Sequence, residues 1–251
     1  MRIIAVTNQK GGSGKTTTSI NLSAALVERG YKVLLVDMDP QFNCTTGVGI
    51  EAQDEQKTVY DLLLDKERNH VGVIQQTDFS GLDIIPASLH LAGAELELPQ
   101  VVGSEFLLRE ALEPIKGYDY ICIDCPPSLG RLTLCSLSAA TDVLVPIQMG
   151  KWALMGTNQL FETVELVKHR INPNLKIIGV LCTMYDPRTN LSREIHAALK
   201  ERFGELMFQT VIRMATKIGE SAVADMPLIF YNPSSNAAMQ YRKLADEVEK
   251  R

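Results

Sequence analysis

Residues Gln9 to Thr18 read QKGGSGKTTT. Gly11, Gly12 and Gly14, placed ahead of Lys15 and Thr16, have the make-up of a loop that turns backbone N–H groups onto a phosphate. Lys15 is placed to reach β- and γ-phosphates, and Thr16 to offer its hydroxyl to Mg²⁺. The usual spelling, G-x-x-x-x-G-K-[ST], needs a glycine at position 9, where this chain has Gln9. A second lysine, Lys10, stands just before the glycines, and the loop chemistry alone gives no reason for it.

Carboxylates accompany the loop. Asp37 and Asp39 lie in LLVDMDPQ, and Asp124 lies in ICIDCPPS. If the chain stays extended, alternation points Asp37 and Asp39 to the same face. Ligands of open parallel sheets sit at the carboxyl ends of the strands, so all three aspartates are expected at the phosphates. Asp124 suits a contact with Mg²⁺, direct or through another ligand. Cys122 and Cys125 form a C-x-x-C with no second copy, on a strand where residues three apart face opposite ways; buried thiols are expected there, not a metal site. His70, His90, His169 and His196 share no ligand spacing, and Trp152 is expected to pack a loop after the fifth strand.

The elements that must position these groups follow from short apolar, β-branched runs. Strands are expected over residues 2–8, 32–38, 82–87, 118–124, 142–148 and 176–184, with a weaker one over 206–212. Near-continuous apolarity implies burial on both faces, as in a parallel sheet. Helical patterns occupy 16–29, closed by Gly30, and 104–115, 129–140, 154–170 and 192–203. Alternation of strand and helix predicts an α/β fold, a doubly wound, mostly parallel sheet flanked by helices. No linker, charge block or repeat divides the chain, so residues 1–251 are expected to form a single domain.

Bulk properties bound the function. Hydrophobic residues make up 45% and charged residues 22%, the balance of a globular protein with a sizeable core. No apolar run approaches the roughly 18 residues of a membrane span, and the chain enters a strand too early for a signal peptide. Five scattered cysteines suit a reducing cytoplasm better than a disulfide framework. A net charge of −5 excludes a protein coated in basic residues but not a local basic patch.

The stretches KGGSGKTTT, VLLVDMDPQFNCTTG, ICIDCPPSLG and TMYDPRTNLS resemble the deviant Walker A ATPases of the ParA/MinD superfamily, within the P-loop NTPases. The match is to small Soj-like ParA partition ATPases without an N-terminal helix-turn-helix domain, and it runs from Ile3 to about Tyr241. The resemblance implies ATP and Mg²⁺ as cofactors and a slow, partner-stimulated ATPase. It implies a homodimer in ATP with both nucleotides at the interface, where Lys10 reaches the phosphates held by the other subunit. Phosphate binding then falls to Lys10, Gly11, Gly12, Ser13, Gly14, Lys15, Thr16 and Thr17. Asp39 orients the attacking water, and Thr16 and Asp124 serve the metal.

The resemblance further implies nonspecific binding of double-stranded DNA, a ParB-like centromere-binding partner, and a cytoplasmic, nucleoid-associated location. Arg188, Arg193, Lys200, Arg202, Arg213, Lys217 and Arg242 are the candidate DNA contacts. The chain departs from the family at VIRMATKIGES, where Arg213, Met214 and Ala215 replace the residues that commonly lie by the adenine; Met184 and Arg213 are assigned to that side instead. Alternatives are a MinD-like ATPase positioning a complex at the membrane, an ATP-switched scaffold, and an ATP-dependent ligase or reductase. The mixed-charge tail, with Asp246, Glu247 and Glu249 among Lys243, Lys250 and Arg251, speaks against a lipid anchor.

Overall fold

The computed structural model describes residues 1–51, 56–64, 72–150 and 157–251. Eight strands form one sheet: β1 (Arg2–Val6), β2 (Val33–Asp37), β3 (Gln75–Gln76), β4 (Leu82–Ile85), β5 (Tyr120–Asp124), β6 (Asp142–Gln148), β7 (Lys176–Tyr185) and β8 (Met207–Arg213). Their spatial order is β3-β4-β2-β5-β1-β6-β7-β8, parallel throughout except for β3, which pairs antiparallel with β4 at the edge.

The strands form because their side chains alternate between two apolar layers. Ala5, Leu34, Val36, Ile121, Ile123, Val143 and Val145 face one core. Ile4, Val6, Val33, Leu35, Cys122 and Leu144 face the other. That period of two, apolar on both sides, is the signature of a sheet covered by helices on both faces. Cys122 and Cys125 fall in opposite cores, as their spacing requires.

Helices α1 (Lys15–Glu28), α2 (Asn43–Thr46), α3 (Val59–Leu64), α4 (Leu91–Glu97), α5 (Leu107–Leu112), α6 (Arg131–Ala139), α7 (Thr157–Arg170), α8 (Asn190–Phe203), α9 (Thr216–Val223), α10 (Leu228–Tyr231) and α11 (Asn236–Lys250) supply the covering layers. α1, α10 and α11 cover one face, with Leu22, Leu26, Leu228, Tyr241, Leu244 and Val248 fully buried. α3 to α8 cover the other.

The elements differ from expectation in two respects. The helix expected over residues 104–115 is a 3-10 turn (Ser104–Phe106) followed by only Leu107–Leu112, entered through Gly103 in the left-handed region and followed by Pro114. Strand β3 and the short helices α2, α3, α4, α9 and α10 were not expected. The first three residues expected in α7, with Trp152 and His70, lie outside the described residues.

The C-terminal helix is fastened into the domain. Ser235 caps it by accepting from the Ala238 N–H at 3.2 Å. Arg2 donates to the Val248 carbonyl at 2.6 Å while pairing with Asp142 at 3.0 Å. Arg251 donates to the carbonyls of Ile178, Glu205, Leu206 and Met207 and stacks on the Phe208 ring, 4.4 Å from its centroid. Gly179 makes room for this arrangement: a Cβ there would stand 2.5 Å from the buried Phe208 ring and 2.6 Å from the Arg251 guanidinium. Gly179→Ala is therefore expected to destabilise the protein by about 1–3 kcal/mol, the usual range for overpacking, read as a lowered urea midpoint.

Candidate functional site

The glycine-rich loop joins β1 to α1, at the point in the sheet where strands on either side are wound in opposite directions. Gly12 and Gly14 hold φ of 70° and 86°, the left-handed conformation that lets successive N–H groups converge. α1 starts at Lys15 without a side-chain cap, so its terminal amides and positive dipole end are directed at the loop. The loop is braced from β7, where the Thr183 hydroxyl donates to the Ser13 carbonyl at 2.8 Å. Asn8 braces it from β6 by donating to the Pro146 carbonyl at 2.6 Å and accepting from the Lys10 N–H at 3.0 Å.

A cavity of about 460 Å³ opens over the loop, lined by residues 11–17, Asp39, Gln41 and Pro127, and extends between α2 and α9. A second cavity of about 500 Å³ adjoins it, with Gly14, Thr17, Met184 and Ile218 common to both linings. Its wall includes Ile212, Arg213, Met214 and Tyr241, a mostly apolar lining beside the phosphate end. Met184 and Arg213, assigned to the adenine side from sequence, therefore share this space. Met184 sits at φ 53°, an uncommon conformation for a side-chain-bearing residue, at the irregularity near the end of β7 between Cys182 and Tyr185.

The carboxylates divide their work. Asp124, at the end of β5, is fully buried and accepts from the Thr16 hydroxyl at 2.7 Å and the Ser19 hydroxyl at 2.9 Å. Thr16 lines the cavity and Asp124 stands behind it. Asp37 lies beside Asp124 in the parallel β2–β5 register. It accepts from the Asp39 N–H at 3.0 Å, the Thr45 N–H at 2.9 Å and the Thr45 hydroxyl at 2.7 Å. Only Asp39 lines the cavity, where its carboxylate accepts the Gln41 N–H at 3.0 Å.

The expectation that Asp37 and Asp39 point the same way towards the phosphates is thus corrected: β2 ends at Asp37, the chain turns, and Asp37 becomes an internal post for the turn that carries Asp39.

These placements shift the titrations. Burial, then repulsion from Asp37, pushes the Asp124 carboxyl up to about 8, against the pull of Thr16, Ser19 and Lys15. Burial pushes Asp37 up to about 6, opposed by its donors. Burial lowers the Lys15 pKa, with Asp124, Cys125 and Asp39 acting the other way. Hard oxygens from a hydroxyl and a carboxylate, at the edge of a phosphate loop, are the donor set that suits Mg²⁺ with its remaining positions filled by water and phosphate.

Lys10 behaves differently from Lys15. Lys15 is buried at the cavity, its ammonium donating to the Lys10 carbonyl at 3.4 Å. The Lys10 side chain does not contribute to the lining of the phosphate cavity; its ammonium lies 3.9 Å from where a Cβ would sit on Gly150.

The basic candidates separate into groups. Arg188 and Arg213 line the second cavity, and Lys217 follows on α9. Arg193, Lys200 and Arg202 lie on α8 and are exposed. Arg188 pairs with Asp186 at 2.8 Å, Lys217 with Glu220 at 2.6 Å, Arg193 with Asn190 and Arg202 with Asn158. Arg242 does not join them. It pairs with Glu28 at 2.5 Å, at the far end of α1, about 20 Å of helix from the phosphate loop.

Sequence reasoning missed Ser19, Thr45, Thr183 and Tyr241. Ser19 had a signal, since it sits one turn after Thr16 on the same helix face; the other three arrive through tertiary contacts.

A family model described as an AAA domain matches residues 1–177. The chain is 48% identical over 248 residues to the sporulation initiation inhibitor protein Soj of Bacillus subtilis, covering 98% of both chains. It is 43% identical to the chromosome partitioning protein ParA of Caulobacter vibrioides, covering 99% of this chain and 94% of that one. Among solved structures it is similar to a cobyrinic acid a,c-diamide synthase from Mycobacterium smegmatis with bound ATP analog and magnesium: 37% identity, TM-score 0.87, coverage 100% of this chain and 95% of that one.

The raised carboxylates set the sign of a pH effect. An unfolded Asp releases its proton near 3.8, whereas folded Asp124 keeps it to about 8. Across that interval the unfolded chain gains from deprotonation and the folded chain does not, so stability falls as pH rises and levels off above the folded value. The melting temperature of nucleotide-free protein in EDTA is expected to fall between about pH 6 and pH 8, and Asp124→Asn to flatten that slope.

Proposed function

The chain belongs to the AAA-domain family, within the ParA/MinD superfamily of P-loop ATPases, and from that premise we propose that it is a Soj-like DNA-partition ATPase whose ATP-bound dimer binds DNA. In this reading the triphosphate lies on Gly11, Gly12, Ser13, Gly14, Lys15, Thr16 and Thr17, and the base enters the cavity that Met184 and Arg213 help to line. Mg²⁺, held at Thr16 with Asp124 behind it, neutralises phosphate charge when bound. Asp39 orients the attacking water. Phosphoryl transfer needs mainly positioning and charge stabilisation, so a site completed only on dimerisation hydrolyses ATP slowly.

One observation carries the dimer. Lys10 stands at the loop yet is turned out of its own phosphate cavity, towards Gly150. That placement supports a role across an interface, where a second copy's γ-phosphate adds negative charge in a low-dielectric contact and an incoming cation stabilises it. Dimerisation in ATP would also double the basic groups of α8 and α9, and two weak patches acting together bind far better than one. A ParB-like partner bound at a centromere-like site would stimulate hydrolysis and release the dimer from nonspecific DNA in the cytoplasm. The whole of residues 1–251 acts as a single ATPase domain in this account.

A membrane-cycling ATPase finds less support. Of the apolar residues of α11, Ala237, Ala238, Tyr241, Leu244, Ala245 and Val248 are buried in the core and Met239 alone is exposed, which leaves no apolar face for lipid. Among the described residues no helix is long and apolar enough to cross a membrane. A pure ATP switch would have no use for Asp39 at the phosphates. A ligase would turn ATP over only with an acceptor present.

The deciding experiment is a gel shift on unrelated duplex DNA with ATP, with ADP and without nucleotide. Binding in ATP alone, weakening steeply with salt, is expected; equal binding in all three states, or none, defeats the reading. A companion measurement separates the lysines. Lys10→Ala should bind ATP yet stay monomeric by light scattering, Lys15→Ala should lose ATP binding, and Asp39→Ala should remain an ATP-bound dimer. A Lys10→Ala dimer of normal affinity removes the interface role.

A further inference from the structure

The loop of residues 125–130 joins β5 to α6. It begins beside Asp124 and contributes Pro127 to the wall of the phosphate cavity, whose lining also includes Asp39. Its near end is fixed by the Cys125 N–H, which donates to the Val6 carbonyl at 3.2 Å. Its middle is fixed by the Thr133 hydroxyl, which donates to the Ser128 carbonyl at 2.6 Å. Its far end opens α6, and there the helix has no cap of its own, because Gly130 occupies the cap position.

The cap comes from another element. Glu95 on α4 accepts the Arg131 N–H at 2.8 Å on one carboxylate oxygen and the Leu132 N–H at 3.3 Å on the other. A carboxylate there satisfies two amides that the helix itself leaves unpaired and meets the positive end of the helix dipole. The Arg131 guanidinium turns to Glu105, at 3.3 Å. α4 is itself anchored, with Leu91, Ala94 and the following Leu98 buried in the core.

Gly130 marks how close the approach is. A Cβ at this position would stand 2.6 Å from both Glu95 oxygens. Its φ of −78° and ψ of −165° suit any residue, so backbone conformation does not demand glycine. The carboxylate of Glu95 does.

We propose that Glu95 is a positioning residue for ATP hydrolysis: by capping α6 from α4 it fixes the path of the loop between Asp124 and Gly130, and so the Pro127 side of the phosphate cavity. The role rests on the ATPase reading above. Glu95 does not line either cavity, so it acts on the rate through the loop and leaves nucleotide affinity alone. Displacements of an ångström in a site that works by positioning are enough to change rates by up to about a hundredfold.

The test uses the full chain in four forms: Glu95→Ala, Glu95→Gln, Gly130→Ala and the Glu95→Ala, Gly130→Ala double variant. Single-turnover hydrolysis and equilibrium binding of Mg²⁺–ATP are measured for each, with the melting temperature alongside. Glu95→Ala is expected to slow hydrolysis by on the order of tenfold, with ATP affinity within about twofold of the parent. Glu95→Gln, whose amide oxygen can still accept one N–H, is expected to recover most of the rate. Gly130→Ala alone should slow hydrolysis, because its methyl displaces the carboxylate, and should add nothing once Glu95 is alanine.

Additive effects, an unchanged rate in Glu95→Ala, or a rate that falls only in step with ATP affinity or melting temperature would each overturn the proposal. A parent protein that does not hydrolyse ATP at all overturns the ATPase reading and this role with it; a parent that does, beside unaffected variants, overturns the role alone.

Discussion

A fully buried carboxylate beside a second one is electrostatically unfavourable by itself, and the architecture is arranged around that conflict. Asp124 ends β5 directly beneath the start of α1, where it accepts the hydroxyls of Thr16 and Ser19. Two neutral donors satisfy its oxygens without neutralising its charge, and Asp37 on the adjacent strand adds repulsion. Burial and the neighbouring carboxylate thus raise the Asp124 pKa, and a divalent cation bound beside Thr16 would oppose that rise. Sheet order makes this possible, since β1, β5 and β2 are neighbours and bring the loop, Asp124 and Asp37 together at their carboxyl ends.

From that point outward the remaining parts follow a chain of hydrogen bonds. Asp37 holds the turn that presents Asp39 and also holds Thr45 of α2, whose hydroxyl accepts the Ala87 N–H at 3.0 Å beyond β4. Thr183 ties the phosphate loop to β7, the strand whose end also supplies Met184 to the second cavity. The phosphate loop, the Asp39 turn and Met184 are thus braced from the strands of one sheet, a sound basis for the proposed reaction, which works by placement.

Much of this was legible in the sequence because two-sided burial leaves an unmistakable trace. The strand expected at Asp142–Gln148 has its observed limits, and the other core strands differ from expectation by one or two residues at their ends. The phosphate loop was legible because glycines, lysine and threonine act within one local segment. Where sequence reasoning failed, the deciding contacts were distant or the element too short to show a period. Gln75–Gln76 carries no strand pattern and pairs only because β4 offers an edge. Asp37 was placed with Asp39 because alternation assumes an extended chain, and the turn that separates them is set by Thr45, eight residues on. Tyr241 reaches the second cavity from α11, and Glu95 caps a helix 36 residues away. The charged groups were the least legible: exposure follows from composition, but only the fold shows that Arg242 faces Glu28 and leaves the company of Arg188 and Arg213.

All five cysteines are buried, distributed between the two faces of the sheet, and burial raises every one of their thiol pKa values. Thiolate reagents consequently find no ready target on the native surface. A single cysteine introduced at a fully exposed site such as Val102 would accept a maleimide fluorophore selectively, with none of the natural ones removed. The chain is in this respect already prepared for site-selective optical labelling.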